Sequence, residues 1–370
     1  MSTEVRQMND GRGSAAGALI TLAATADVHG RMRVSAAIED FFLPDVARLD
    51  DRMRSGIADS LAALVAGVEA ALIQHTARLL VAREEPELAM RLTGGTRAIL
   101  ERLVGAGLLR DSELMSEVIA RVRMEAIGDA LPATSPAELD SPSLLARLAN
   151  HPDRIVAEAS TGLFMAESRR RGVIECISQR DLPAALHQRL VWWVAAAVRE
   201  RCDASGQDVA VLDAALAEAA LHSLSAHDDR DRLEAVAMRL AVAFEAGPQE
   251  LPSLLIEAIG DRRIALFTAF LSQAVGLDYE QGREIVCDPD TGRLWLVLRA
   301  LDCDRRTIAR IGLALCEADA RRDLENFADS LDDIADVSPT RARQALAPMK
   351  LHPDYRAALS ALMHGAQAYR

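Results

Sequence analysis

The chain has 370 residues, of which 50% are hydrophobic and only 4% are aromatic, and its formal net charge at pH 7 is −13. The apolar content is sufficient for a folded core, whereas the acidic balance disfavours general binding to the phosphates of nucleic acids. Alanine and leucine dominate and no clear run alternates Val, Ile or Thr with polar residues, so we expect an all-α fold with essentially no sheet.

The first part of the chain predicts a helical bundle over residues 15–131. It follows a polar stretch, residues 1–14, which is expected to be a disordered tail. The longest predicted helix starts near Pro44, ends at about residue 82 and carries an apolar stripe made of Ile57, Leu61, Leu64, Val68, Leu72 and Leu79. Small residues flank this stripe, so we expect a closely packed partner helix, either within the bundle or across the axis of a homodimer.

Targeting signals are not evident. No apolar run is judged long enough to cross a bilayer, so we expect no membrane association. The apolar stretch 15–26 has the length of a signal peptide, but acidic residues offset the arginines before it. The five cysteines show no metal-binding spacing and indicate reduced thiols. These features predict a cytoplasmic protein.

Residues 132–143 are rich in proline and serine and predict a linker between two domains. Beyond it, over residues 144–370, helices follow one another in pairs. The turn His151-Pro152-Asp153 returns as His352-Pro353-Asp354, and each histidine is placed to cap a helix. The helix after the first of these turns has an apolar stripe that should be buried, made of Ile155, Ala159 and Leu163. The pairing predicts a HEAT-like array of helical repeats.

Two stretches resemble an uncharacterised bacterial family, domain of unknown function 2336. The first, residues 45–80, reads DVARLDDRMRSGIADSLAALVAGVEAALIQHTARLL. The second, residues 265–301, reads ALFTAFLSQAVGLDYEQGREIVCDPDTGRLWLVLRAL. The resemblance implies an all-helical, HEAT-like protein, and no catalytic residues carry over from it.

The sharpest enzyme-like signal is the adjacent pair His227-Asp228, with His222 and His187 upstream. Such a pair on a helical scaffold resembles the HD-type phosphohydrolases, in which a bound divalent metal activates water to attack a phosphoester. Here the pair lies in the sequence SAHDDRD, which is typical of a turn with a capping carboxylate. We therefore predict that His222, His227 and Asp228 are not catalytic and that no metal or other cofactor is bound. The phosphohydrolase remains the alternative.

His75 lies on the apolar stripe of the long helix. A histidine that accepts a phosphoryl group in a histidine–aspartate phosphorelay must be exposed, whereas this one should face the core or an interface. A phosphorelay component is thus the second alternative.

Trp192 and Trp193 are adjacent on a helix predicted over residues 183–201. Trp193 shares the apolar face of this helix, whereas Trp192 falls about 100° away from it. Trp192 could anchor a partner, because tryptophan is enriched at binding hot spots, or it could pack against a neighbouring repeat. Arginines at or near both ends of the helix form the most concentrated basic patch: Arg169, Arg170, Arg171, Arg199 and Arg201. The leading prediction is a non-enzymatic scaffold whose protein partner contacts Trp192 and these arginines.

Overall fold

The computed structural model describes residues 49–94, 98–132, 142–171 and 179–368. In these ranges the chain forms α-helices joined by short turns, without a strand, so the all-α prediction is confirmed. In chain order the helices are α1 (Asp51–Ala82), α2 (Pro86–Thr93), α3 (Ile99–Gly105), α4 (Ser112–Ala130), α5 (Leu144–Ala149), α6 (Arg154–Arg171), α7 (Ala184–Arg201), α8 (Gln207–Ser225), α9 (Leu233–Phe244), α10 (Leu251–Gly260), α11 (Ile264–Val275), α12 (Tyr279–Cys287), α13 (Gly292–Ala300), α14 (Arg305–Ala318), α15 (Leu324–Asp336), α16 (Pro339–Leu346) and α17 (Pro353–Ala368).

The helices form two compact units, and each unit draws on separate parts of the sequence. The first unit comprises the described residues of 49–122 and 164–236, and the second those of 123–163 and 237–368. Helices from both sides of the predicted linker therefore contribute to each unit. The predicted tail 1–14 and most of the linker 132–143 lie outside the described residues. The predicted domain boundaries and the HEAT-like arrangement stay predictions.

In the first unit, α1 packs against α2, α3, α7 and α8. Most of its apolar stripe is buried by these helices, since Ile57, Val68 and Leu72 have no exposed surface. Leu79 is only half-buried, and the neighbouring Leu80 is the buried residue of that turn. The close approach extends to α4, because a Cβ on Gly56 would lie 2.8 Å from a methyl group of Val122. The stripe that suggested a homodimer is thus used within the chain, and the homodimer stays a prediction.

Helix α1 is long and apolar enough to bear on the expectation that the chain has no membrane-spanning run. By length and composition alone it could cross a membrane, since an 18-residue window within it has a mean hydropathy of 1.7. The expectation that no apolar run reaches that length was therefore wrong. Of the same window, 39% is buried inside the structure. A core helix that packs on its neighbours meets the same criterion, so the length of α1 alone does not indicate a membrane protein.

In the second unit, α10 packs on α11 and α14, α11 on α12, α13 on α16, and α14 on α15. Helix starts are capped as the sequence indicates: Asp278 and Gln281 form a reciprocal capping box at the start of α12. In the two repeated turns, the ring Nδ1 atoms of His151 and His352 accept backbone N–H groups at 3.1 and 3.3 Å. His352 directly precedes α17 and caps it, as predicted, whereas α6 begins at Arg154 and the carboxylate of Asp153, not His151, accepts the N–H of Ile155 at 2.8 Å.

The buried face of α6 differs from the predicted one. Ile155 is 68% exposed, whereas Val156 and Ser160 are buried together with Leu163. The hydroxyl of Ser160 donates to the carbonyl of Leu145 at 2.9 Å, which satisfies it in the contact with α5. The packed face is therefore rotated away from a stripe chosen on apolar residues alone, by less than one residue step, because Leu163 belongs to both.

Candidate functional site

Four histidines of the first unit form two stacked pairs at the C-terminal end of α8. The rings of His75 on α1 and His222 on α8 have centroids 4.2 Å apart and planes 16° apart. The rings of His187 on α7 and His227, in the turn after α8, have centroids 4.4 Å apart and planes 18° apart. The pairs therefore connect the end of α8 and its following turn to two neighbouring helices.

The His187–His227 pair is the more enclosed one. His187 is only 2% exposed, its Nε2 atom lies 3.5 Å from the Ser223 hydroxyl, and its Nδ1 atom is buried without a hydrogen-bond partner. On the other ring, Nε2 of His227 lies 3.3 Å from a carboxylate oxygen of Asp229. The same oxygen accepts the backbone N–H of Ala184 at 2.9 Å, so it caps the start of α7.

The electrostatics of this pair favour a neutral His187. Burial, and then the neighbouring His227, lower the pKa of His187 to about 4, while Ser223 and Asp229 act in the opposite direction. Burial and the neighbouring His227 each penalise the charged form of the His187 ring. His187 is therefore neutral at physiological pH.

The His75–His222 pair lies closer to the surface. His75 is half-buried and His222 is exposed. The ring Nδ1 of His75 is 3.5 Å from the Arg78 guanidinium. Burial, then His222 and Arg78, lower the pKa of His75, and Glu218 opposes them. Glu218 is itself ion-paired with Arg83.

The structure therefore gives the residues of the suspected phosphohydrolase motif separate partners. His222 and His227 stack on different partners, and the carboxylate of Asp228 accepts the backbone N–H of Arg230 at 2.8 Å, which is a capping role. Across the part of the chain that the structure describes, no group of three or more His, Cys, Asp or Glu side chains is arranged to hold a metal ion.

The double-tryptophan helix, α7, presents one of its indoles to solvent. Trp192 is 39% exposed, and Trp193 is half-buried. One face of α7 carries exposed residues at helical spacing: Gln188, Trp192, Ala196 and Arg199. The partner-binding residue predicted from the sequence is thus accessible.

The arginines predicted to flank Trp192 have different environments. Arg199 is exposed and pairs with Asp213 of α8, with N and O atoms 3.0 Å apart. Arg201 has a side chain only 9% exposed and pairs with Glu69 of α1 at 2.6 Å, so it fastens α7 to α1. Arg169 is exposed. The side chains of 170 and 171 lie outside those that the structure describes.

Sequence reasoning missed a buried ion network in the same unit. Arg121, 2% exposed, donates to Glu117 at 2.6 Å, lies 2.7 Å from Glu234 and also donates to the carbonyl of Asp181. Arg232 lies 3.9 and 3.7 Å from the two glutamates. The spacing of Glu117 and Arg121, one helical turn apart, is visible in the sequence, but the other members are distant along the chain.

A family model described as an uncharacterised protein conserved in bacteria, DUF2336, matches residues 125–347. This range is more than half of the 370-residue chain. It includes the stretch 265–301 and three of the stacked histidines, whereas the stretch 45–80 lies outside it. No curated protein and no solved structure matches the chain.

Proposed function

The chain belongs to the bacterial DUF2336 family, and we propose that within this family it acts as a non-enzymatic, cytoplasmic protein-interaction or regulatory scaffold without a cofactor. The observation that carries the proposal is the exposed indole of Trp192 on α7. Tryptophan is a common anchor of protein interfaces, because its large apolar ring gains more from burial than other side chains do.

The helix that carries Trp192 is packed into the first unit through the buried side chains of Leu190, Val194 and Val198, which favours binding. Near its start, Arg189 pairs with Asp111 at 2.7 Å and also with Glu113. At its end, Arg201 pairs with Glu69. An anchor on a fixed helix loses little conformational freedom when a partner binds, so more of the contact energy contributes to affinity.

Arg199 supplies charge near the anchor. It follows Trp192 by two helical turns and lies on the same exposed face. Its pair with Asp213 is solvent-exposed on both sides. Exposed pairs contribute little to stability, so a carboxylate on a partner could replace Asp213 at small cost. The proposed contact is therefore Trp192 with Arg199, and the exposed Arg169 of α6 is a further candidate. The proposed partner is a protein with an acidic surface around an apolar pocket.

The successive packing of α10, α11 and α12 supports the further proposal of HEAT-like stacking in the second unit. In such an array an extended surface, rather than one pocket, provides the binding residues.

The test is affinity capture from the native host with mass-spectrometric identification, using the wild type and a Trp192→Ala/Arg199→Ala variant. The matched control is Met90→Ala, which removes another exposed apolar side chain of the same unit, 66% exposed. We expect the control and the wild type to recover the same partner and the double variant to lose it. Circular dichroism must show unchanged melting. Equal recovery by a well-folded double variant would defeat the proposal.

A further inference from the structure

Three contacts that tie the turn after α8 to α7 lie close together. The contacts are the His187–His227 stack, the approach of Ser223 to His187, and the carboxylate of Asp229 that caps Ala184. We propose that the His187–His227 stack is an acid-sensitive latch, which holds residues 222–231 against α7 while His187 is uncharged and loosens at mildly acidic pH. This inference is independent of the proposed scaffold function.

The geometry disfavours two charged rings. Centroids 4.4 Å apart and nearly parallel planes suit uncharged imidazoles, whereas two imidazolium ions at this distance repel each other. A charged His187 would also carry an N–H on both ring nitrogens. Its Nδ1 atom is buried and has no hydrogen-bond partner, so the charged ring would bury an N–H donor that is not satisfied.

One carboxylate, that of Asp229, is placed to compensate a positive charge on the stack. Asp229 lies 3.3 Å from His227 and is shared with the backbone N–H of Ala184. Ser223, from α8, is uncharged. Asp228 in the same turn accepts a backbone N–H from its own turn, and Asp231 is exposed.

Two further elements pack on this segment. Helix α1 contacts it through the stack of His75 on His222, with Arg78 and Glu218 beside that pair. The short helix Gln179–Asp181 lies against Asp229–Asp231. Its Asp181 acts on the Arg121 guanidinium in the buried ion network. The burial of His187 and its neighbour His227 hold the pKa of His187 near 4 in the folded chain, which is consistent with the latch.

Hydrogen exchange on the full-length protein at about pH 7.5 and about pH 5.5 tests the latch, after correction for intrinsic exchange rates. In the wild type we expect peptides that cover 222–232 to lose protection by about tenfold on acidification. His187→Gln keeps a polar atom near the position of Nε2 but cannot be protonated, so its peptides should show no such loss. His352→Gln, at a side chain 74% exposed, is the matched control and should behave as the wild type.

Two results would overturn the proposal: protection of 222–232 in the wild type that does not change with pH, or a His187→Gln variant that keeps the full pH response. If His187→Gln does not fold, titration of the histidine ring signals of the wild type by NMR replaces it. We expect the pKa of His187 to lie well below the 6.5 of an unperturbed histidine, and a midpoint near 6.5 would contradict the latch.

Discussion

Arg121, which is buried in the first unit, gives the most quantitative prediction. In Arg121→Met, the guanidinium that lies 2.6 and 2.7 Å from two glutamates is removed, and both glutamate side chains are only 7% exposed. Removing one partner of a buried ion pair typically costs about 3–5 kcal/mol, because the remaining charge is left without compensation. Arg232 is too distant, at 3.9 and 3.7 Å, to replace the lost hydrogen bonds. We therefore expect the free energy of unfolding to fall by about 3–5 kcal/mol.

The assay is urea unfolding followed by circular dichroism and by tryptophan fluorescence. Arg154→Met is the matched control, since Arg154 pairs with Glu158 at the same four-residue spacing, but with side chains 88% and 63% exposed. The control should unfold as the wild type does. A further variant, Arg121→Met with Glu234→Gln, should recover part of the lost stability, because one carboxylate, that of Glu117, then remains beside one guanidinium, that of Arg232. If Arg121→Met unfolds no more easily than Arg154→Met, the network does not stabilise the first unit.

Two further predictions concern other parts of the chain. Because His187 has a pKa of about 4 when folded and 6.5 when unfolded, the unfolded chain binds more protons between these values. Stability should therefore fall as pH decreases through this window, by about 1.4 kcal/mol between pH 7.5 and 5.5, relative to His187→Gln. An equal pH dependence of wild type and variant in urea unfolding would contradict this. On α6, Leu163→Ala, at a fully buried side chain, should cost about 2–5 kcal/mol. Ile155→Ala, at a side chain 68% exposed, should change stability by less than about 0.5 kcal/mol. Thermal melting that ranks the two in the opposite order would show that the wrong face of α6 has been assigned to the core.

Local sequence patterns predict the parts of this fold that depend on helical periodicity. Large apolar residues recur along α1 at helical spacing, and Ile57, Val68 and Leu72 are indeed fully buried. On α6 the same reasoning selected Ile155, because it could not recognise that a serine would be buried. The hydroxyl of Ser160 is satisfied by a carbonyl of another helix, and such a partner is invisible in a local pattern.

In the candidate site too, features set by consecutive residues could be predicted, whereas contacts between distant residues could not. The turn around Asp228 and its capping role follow from a few consecutive residues. The stacking of His75 on His222, and of His187 on His227, depends on how α1, α7 and α8 pack. Spacing along the chain does not reveal how these helices pack, so the sequence analysis placed His222 together with His227 instead.

The central claim, that Trp192 anchors a protein partner, is tested most directly by titration calorimetry with the purified partner. Trp192→Ala should weaken binding by at least about 2 kcal/mol, which is about a thirtyfold increase in Kd, as for a hot-spot residue. Met90→Ala, at another exposed apolar side chain of the same unit, should leave Kd unchanged. A Trp192→Ala variant that folds normally and binds the partner as tightly as the wild type would contradict the account.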